Sequence, residues 1–125
     1  MIKFDEQKQL DSVAGALAIR KEIEGIAADV AGRGYKNICY LGIGGTYASA
    51  LQTQNHVQEY SGMEIIAQNA ALYNTTGNRR IGKDTVIVLS SVTGTTQEVV
   101  AAVEKAKAQG AVVIGFVDTA DTPLE

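Results

Sequence analysis

Residues 85–117, TVIVLSSVTGTTQEVVAAVEKAKAQGAVVIGFV, read as strand, turn, helix and strand. TVIVLS (85–90) and VVIGFV (112–117) are short apolar runs rich in β-branched residues, the composition of strands covered on both faces. Between them Val99, Val100, Val103 and Ala106 recur at helical spacing from about Thr96 to Gln109, and Gly110 stops the helix. A strand, a helix and a second strand within about 30 residues make a βαβ unit, which joins parallel strands.

The same alternation continues upstream. NICYLG (37–42) predicts a strand, a helix runs from near Thr46 to Gly62, and MEIIA (63–67) predicts a brief second strand. Residues 69–73 have room for one or two helical turns before the polar loop NTTGNRRIGKD (74–84). Residues 5–33 carry Ala16, Ile19, Ile23, Ile26, Ala27 and Val30 in steps of three and four, which predicts one long leading helix stopped by Gly32 and Gly34. The fold class expected is α/β, a three-layer αβα domain with a parallel sheet, forming a single domain over residues 1–125. DTADTPLE leaves the last strand through polar turn residues with no closing helix, so a fragment of a longer chain is expected.

With 125 residues, 46% of them hydrophobic, the chain has the size and apolar content of one domain. Eleven basic and 14 acidic side chains are spread along it, giving a net charge of −3 and no basic stripe for a nucleic acid backbone. No apolar run approaches the 18 or so residues of a membrane span, no signal peptide opens the chain, and Cys39 is its single cysteine. A cytoplasmic setting is expected, with neither nucleic acid nor membrane as partner.

In open parallel sheets ligands bind where strand ends feed helix starts, because free N–H groups and the helix dipole attract anions there. Two such turns stand out: GIGGTYAS (42–49) and SSVTGTT (90–96). The first fails the dinucleotide fingerprint, since Tyr47 stands where Gly or Ala is needed and the second strand does not end on an acidic residue. It also has no Gly-Lys-Ser/Thr of a P-loop. Its glycines serve a tight turn in any reading. In the second turn Ser91, Thr93, Thr95 and Thr96 surround Gly94, offering hydroxyls and a nest of N–H groups with no acidic residue to repel an anion. Uncharged donors at a helix start suit a phosphate monoester. A capping box, Thr95 with Glu98, explains part of the pattern and leaves Ser91, Thr93 and Thr96 unexplained.

Other chemistry-bearing residues read as structural. His56 lies mid-helix away from the turns, Tyr47 suits helix packing, and Arg79 and Arg80 precede the third strand at the edge opposite the ligand side. Asp118 and Asp121 follow the last strand on the ligand side, where turn formation accounts for them equally well. No Cys/His/Asp spacing suggests a metal, and few aromatics are present to stack a flavin, so no metal or cofactor is expected.

At these turns the sequence resembles the sugar isomerase (SIS) domain family of phosphosugar isomerases, deglycases and regulators. The likeness rests on YLGIGGTYASA (40–50), on SVTGTT (91–96) with its Ser-x-Ser/Thr-Gly-x-Thr pattern, and on VVIGFVDTADTPL (112–124). The resemblance implies a flavodoxin-like domain binding a sugar phosphate. Ser91, Thr93 and Thr96 would hold phosphate oxygens, helped by the N–H groups of Gly94 and Thr95, while Gly45 and Thr46 would line the pocket towards the sugar. Some members carry a hydroxyl where Gly45 stands, so Gly45 contributes backbone only. The resemblance further implies pairing into a homo-oligomer, and catalytic Glu and His residues further along the polypeptide, in a second SIS domain or a partner subunit, at positions beyond residue 125. The function expected is therefore the N-terminal part of a sugar-phosphate isomerase or fructosamine-6-phosphate deglycase; the alternative is a non-catalytic sugar-phosphate sensor.

Overall fold

The computed structural model describes residues 4–125, which divide into two compact units, one ending at Gly34 and the other spanning Tyr35–Glu125. In the first unit, the single helix expected over residues 5–33 is two: α1 (Glu6–Ala18) and α2 (Arg20–Arg33). Asp5 caps α1 by accepting a hydrogen bond from the Lys8 N–H at 3.0 Å. The break falls at Ile19, whose ψ of 2° is not helical: its N–H reaches only the Leu17 carbonyl, and its own carbonyl accepts the Ile23 N–H at 3.1 Å to open α2. Arg20 then starts α2 and pairs with Glu24 at 2.7 Å across one turn. Of the expected apolar stripe, Val30 is buried, whereas Ile19 and Ile26 are exposed.

The second unit is built on strands β1 (Asn37–Gly42), β2 (Glu64–Asn69), β3 (Thr85–Ser91) and β4 (Val112–Val117). All pair in parallel, in the order β2-β1-β3-β4. Helices α3 (Gly45–Tyr60), α4 (Ala70–Thr76) and α5 (Gln97–Ala108) connect them. Side chains alternate between the two faces of a strand. Cys39, Leu41, Ile66, Ile87 and Leu89 therefore share one face, where they form a single core with Tyr73 of α4 and with Val99, Ala102, Val103 and Ala106 of α5. Ile65 and Val86 are buried on the other face; α3 packs on β1 and β2 with Ala50 fully buried. Truncating a wholly buried residue such as Ile87 would cost about 2–5 kcal/mol in lost transfer energy and cavity.

Helix α4 is held from its far end. Lys105 Nζ on α5 donates to the last-turn carbonyls of Tyr73 and Asn74 at 2.8 and 3.1 Å, placing a cation where the helix dipole is negative. The Tyr73 hydroxyl donates to Gln109 Oε1 at 2.5 Å, which satisfies a phenol otherwise lost in the core. At the carboxyl end of β1, α3 starts almost against the strand. A Cβ on Gly42 would lie 2.7 Å from the Thr46 carbonyl carbon and the Tyr47 nitrogen, so only glycine permits this approach.

Candidate functional site

Strand β1 lies between β2 and β3, so the chain winds one way from β1 to β2 and then crosses β1 to continue through β3 and β4. The carboxyl ends of β1 and β3 thus flank the point where the winding reverses, the place where open α/β sheets part their loops into a crevice. Both turns singled out in the sequence end there. Leu41 and Leu89 are direct partners across β1 and β3, so the two turns leave the sheet side by side.

Two adjoining recesses open at this edge, and Thr46, Ser90, Ser91 and Val92 line both. The smaller, about 180 Å³, is completed on the α5 side by Thr93 and Thr96. The larger, about 310 Å³, extends towards β4 and is completed by Phe116, Val117 and Asp118. Of the residues expected at the site, Thr46, Ser91, Thr93 and Thr96 line the smaller recess. Gly94 and Thr95 form the turn behind it, and Gly45 is an exposed first residue of α3 that lines neither recess.

The hydrogen bonds of the two turns decide which protons are available. Ser91 Oγ accepts the Gly94 N–H at 3.0 Å, and Thr93 Oγ1 accepts the Thr95 N–H at 3.4 Å. Each of these hydroxyls is thereby oriented and keeps its own proton to donate. Thr46 differs: its hydroxyl accepts the Ile43 N–H at 3.0 Å and donates to the Ile43 carbonyl at 2.9 Å, closing the first turn. It keeps a lone pair but no proton.

The capping box expected from Thr95 and Glu98 does not form. Thr96 is the N-cap of α5, one residue later, and no side chain caps the helix. Gly94 takes a φ of 64°, and Thr95 N–H is turned back to Thr93, which removes Thr95 from the capping position. The N–H groups of Gln97 and Glu98 at the start of α5 therefore stay uncapped beside the hydroxyls, while the Val99 N–H donates to the Thr96 carbonyl at 3.0 Å.

A strap of chain fixes this loop from outside. After β4, the Asp118 N–H donates to the Ser91 carbonyl at 3.3 Å, and the Thr119 N–H and hydroxyl donate to the Val92 carbonyl at 3.2 and 2.8 Å. Gly94 is buried beneath Thr122 and Val117. The sequence did not announce this contact, since TADTPLE reads as a simple exit from the sheet. Ser90 was also missed as a lining residue: it stands at the end of the strand run, and its hydroxyl lies 3.2 Å from the Tyr40 hydroxyl. Phe116 was missed too, because a residue near the end of an edge strand carries no motif.

The remaining candidates lie elsewhere. His56 is exposed on α3 and its ring tilts against Tyr60 at 5.0 Å. Arg79 and Arg80 are exposed at the opposite edge of the sheet, where Arg80 pairs with Glu64 at 3.2 Å. Cys39 is buried in the core, and desolvation pushes its thiol from 9.0 up to about 12, partly offset by Arg80, so it is no nucleophile. Among the described residues no three His, Cys, Asp or Glu side chains gather as a metal site, and no helix is long and apolar enough to cross a membrane.

Comparison with known proteins follows the same geometry. The SIS domain family matches residues 33–125. A proposed phosphosugar isomerase of Salmonella typhimurium is 29% identical, with a TM-score of 0.72 over 79% of this chain and 30% of its own. Tagatose-6-phosphate ketose/aldose isomerase of Escherichia coli is 16% identical, with a TM-score of 0.77 over 91% of this chain and 32% of its own. The C-terminal domain of glucosamine-fructose-6-phosphate aminotransferase of Francisella tularensis is 19% identical, with a TM-score of 0.64 over 72% of this chain and 25% of its own. This chain spans about a third or less of the length of each. No protein of curated function matches it in sequence.

Proposed function

The chain belongs to the SIS domain family, and from that premise we propose that its second unit binds the phosphate of a sugar phosphate in the recess between β1 and β3. One observation carries the reading: two hydroxyl-bearing turns meet at the switch point beside an uncapped helix start. Ser91 and Thr93, already oriented by the amides of Gly94 and Thr95, donate their protons to phosphate oxygens. Thr96 adds a third hydroxyl, and the N–H groups of Gln97 and Glu98 at the start of α5 meet the remaining charge. The amides of Gly94 and Thr95 act through the hydroxyls they orient. Thr46, with a lone pair and no free proton, accepts from a sugar hydroxyl, and Gly45 contributes backbone at the margin.

The wider role we propose is the phosphosugar-binding part of a sugar-phosphate isomerase or fructosamine-6-phosphate deglycase, with the proton-transferring carboxylate and histidine supplied by residues outside this chain's site. Homo-oligomer formation suits the exposed stripe Leu10, Val13 and Leu17 on α1. A reduced, cytoplasmic setting suits the buried free thiol of Cys39.

Calorimetry with fructose 6-phosphate tests the site. Replacing Thr93 and Thr96 by Val removes two donors at nearly constant volume, and each phosphate-directed hydrogen bond contributes about 1.5–3 kcal/mol. Binding should fall at least tenfold in the double variant. Equal affinities before and after would refute the assignment.

A further inference from the structure

We infer that Asp118 is a specificity residue that makes the site prefer a sugar phosphate bearing a protonated amine over its neutral hydroxyl counterpart. The inference rests on the phosphate-site reading above and extends it to the other end of the ligand.

Among the described residues, Asp118 is the only ionisable one lining either of the two joined recesses. It is exposed, and among the described residues its carboxylate makes no hydrogen bond and no ion pair. Its structural task, the bond to the Ser91 carbonyl, is carried by its backbone N–H and would be met by other residues there. The side chain is therefore free of any duty in the strap.

A carboxylate is a poor neighbour for a phosphate dianion. The recesses share Thr46, Ser90, Ser91 and Val92, so a ligand held by Thr93 and Thr96 extends its far end towards Asp118. A neutral sugar phosphate meets only repulsion from Asp118. A sugar carrying an ammonium group meets attraction, and its own positive charge lies between the two negative ones. Phe116, which lines the same recess and is 40% exposed, offers an aromatic ring to the same cation. Amino sugar phosphates and amine-linked ketose phosphates share this chemistry.

Glucosamine 6-phosphate and glucose 6-phosphate differ in this one group, and calorimetry at low ionic strength compares them on the whole chain. The amine ligand should bind about two- to fivefold tighter, the range of a solvent-exposed ion pair, and added salt should shrink the preference. Asp118→Asn should weaken glucosamine 6-phosphate and strengthen glucose 6-phosphate. Changes of opposite sign distinguish a charge effect from loosening of the loop, which would weaken both. Equal wild-type affinities, or a shift of both ligands in one direction, overturn the inference while leaving the phosphate site standing. Failure of both ligands to bind overturns the two readings together. The wild-type comparison holds even if the variant does not fold.

Discussion

Gly94 shows at single-residue scale how the site constrains its own sequence. Its φ of 64° is strained for any side chain, and an added Cβ would overlap the Thr122 hydroxyl and lie 3.0 Å from Val117. Gly94→Ala should lower stability by about 1–3 kcal/mol in urea unfolding and weaken sugar phosphate binding with it. Cys39 makes a second, pH-dependent case. Its thiol ionises near 9.0 when unfolded and only at about 12 when folded, so between those values the unfolded chain sheds a proton that the native chain keeps. Stability should therefore be unaffected by this group below about pH 9 and fall as pH rises above it, by at most about 1.4 kcal/mol per pH unit. Urea midpoints measured from pH 8 to about 11 check this. Cys39→Ala should flatten the fall only in part, because burial also raises the Tyr73 hydroxyl, with the same sign.

At the scale of elements, α4 depends on a neighbour. This helix has only seven residues, too short to persist alone, and Lys105 of α5 both binds its terminal carbonyls and sits 4.9 Å above the Tyr73 ring. Lys105→Met keeps the apolar stem and removes the charge; it should cost about 1–2 kcal/mol, read by urea denaturation, with amide exchange in α4 rising more than in β1. Nothing in the sequence pointed to this pairing, because Lys105 and Tyr73 are 32 residues apart and meet only once α4 and α5 pack on the same face of the sheet. The strands were legible, and VVIGFV coincides with β4 residue for residue, since apolar β-branched runs between turn signals have few other uses. Helix starts were less so. The Thr95–Glu98 pattern obeys a local rule, but Gly94 and the strap over it redirect the backbone by one residue. The division at Ile19 was also invisible, because the apolar spacing runs through it unchanged.

At the scale of the whole second unit, the order β2-β1-β3-β4 makes the site. The sequence showed that strands and helices alternate, and the family motifs pointed to two turns sharing one pocket. Which strands are neighbours depends on the packing of α3 against one face and α4 with α5 against the other, a choice that no local pattern encodes. The strap after β4 belongs to this scale too. A chain ending at Val117 retains every strand and helix of the sheet, so its far-ultraviolet circular dichroism should stay close to that of the full chain. Its affinity for fructose 6-phosphate should nonetheless drop, since the carbonyls of Ser91 and Val92 lose their partners.

The buried glycine beneath Thr122 ties the two ends of that strap into one mechanical circuit. Thr119 and Thr122 line neither recess but hold the loop that does, so at the proposed site the rate at which a bound sugar phosphate escapes should be set partly from outside the pocket. Peeling Thr119 and Thr122 away from the loop should shorten the ligand's stay without altering a single residue that lines the two recesses.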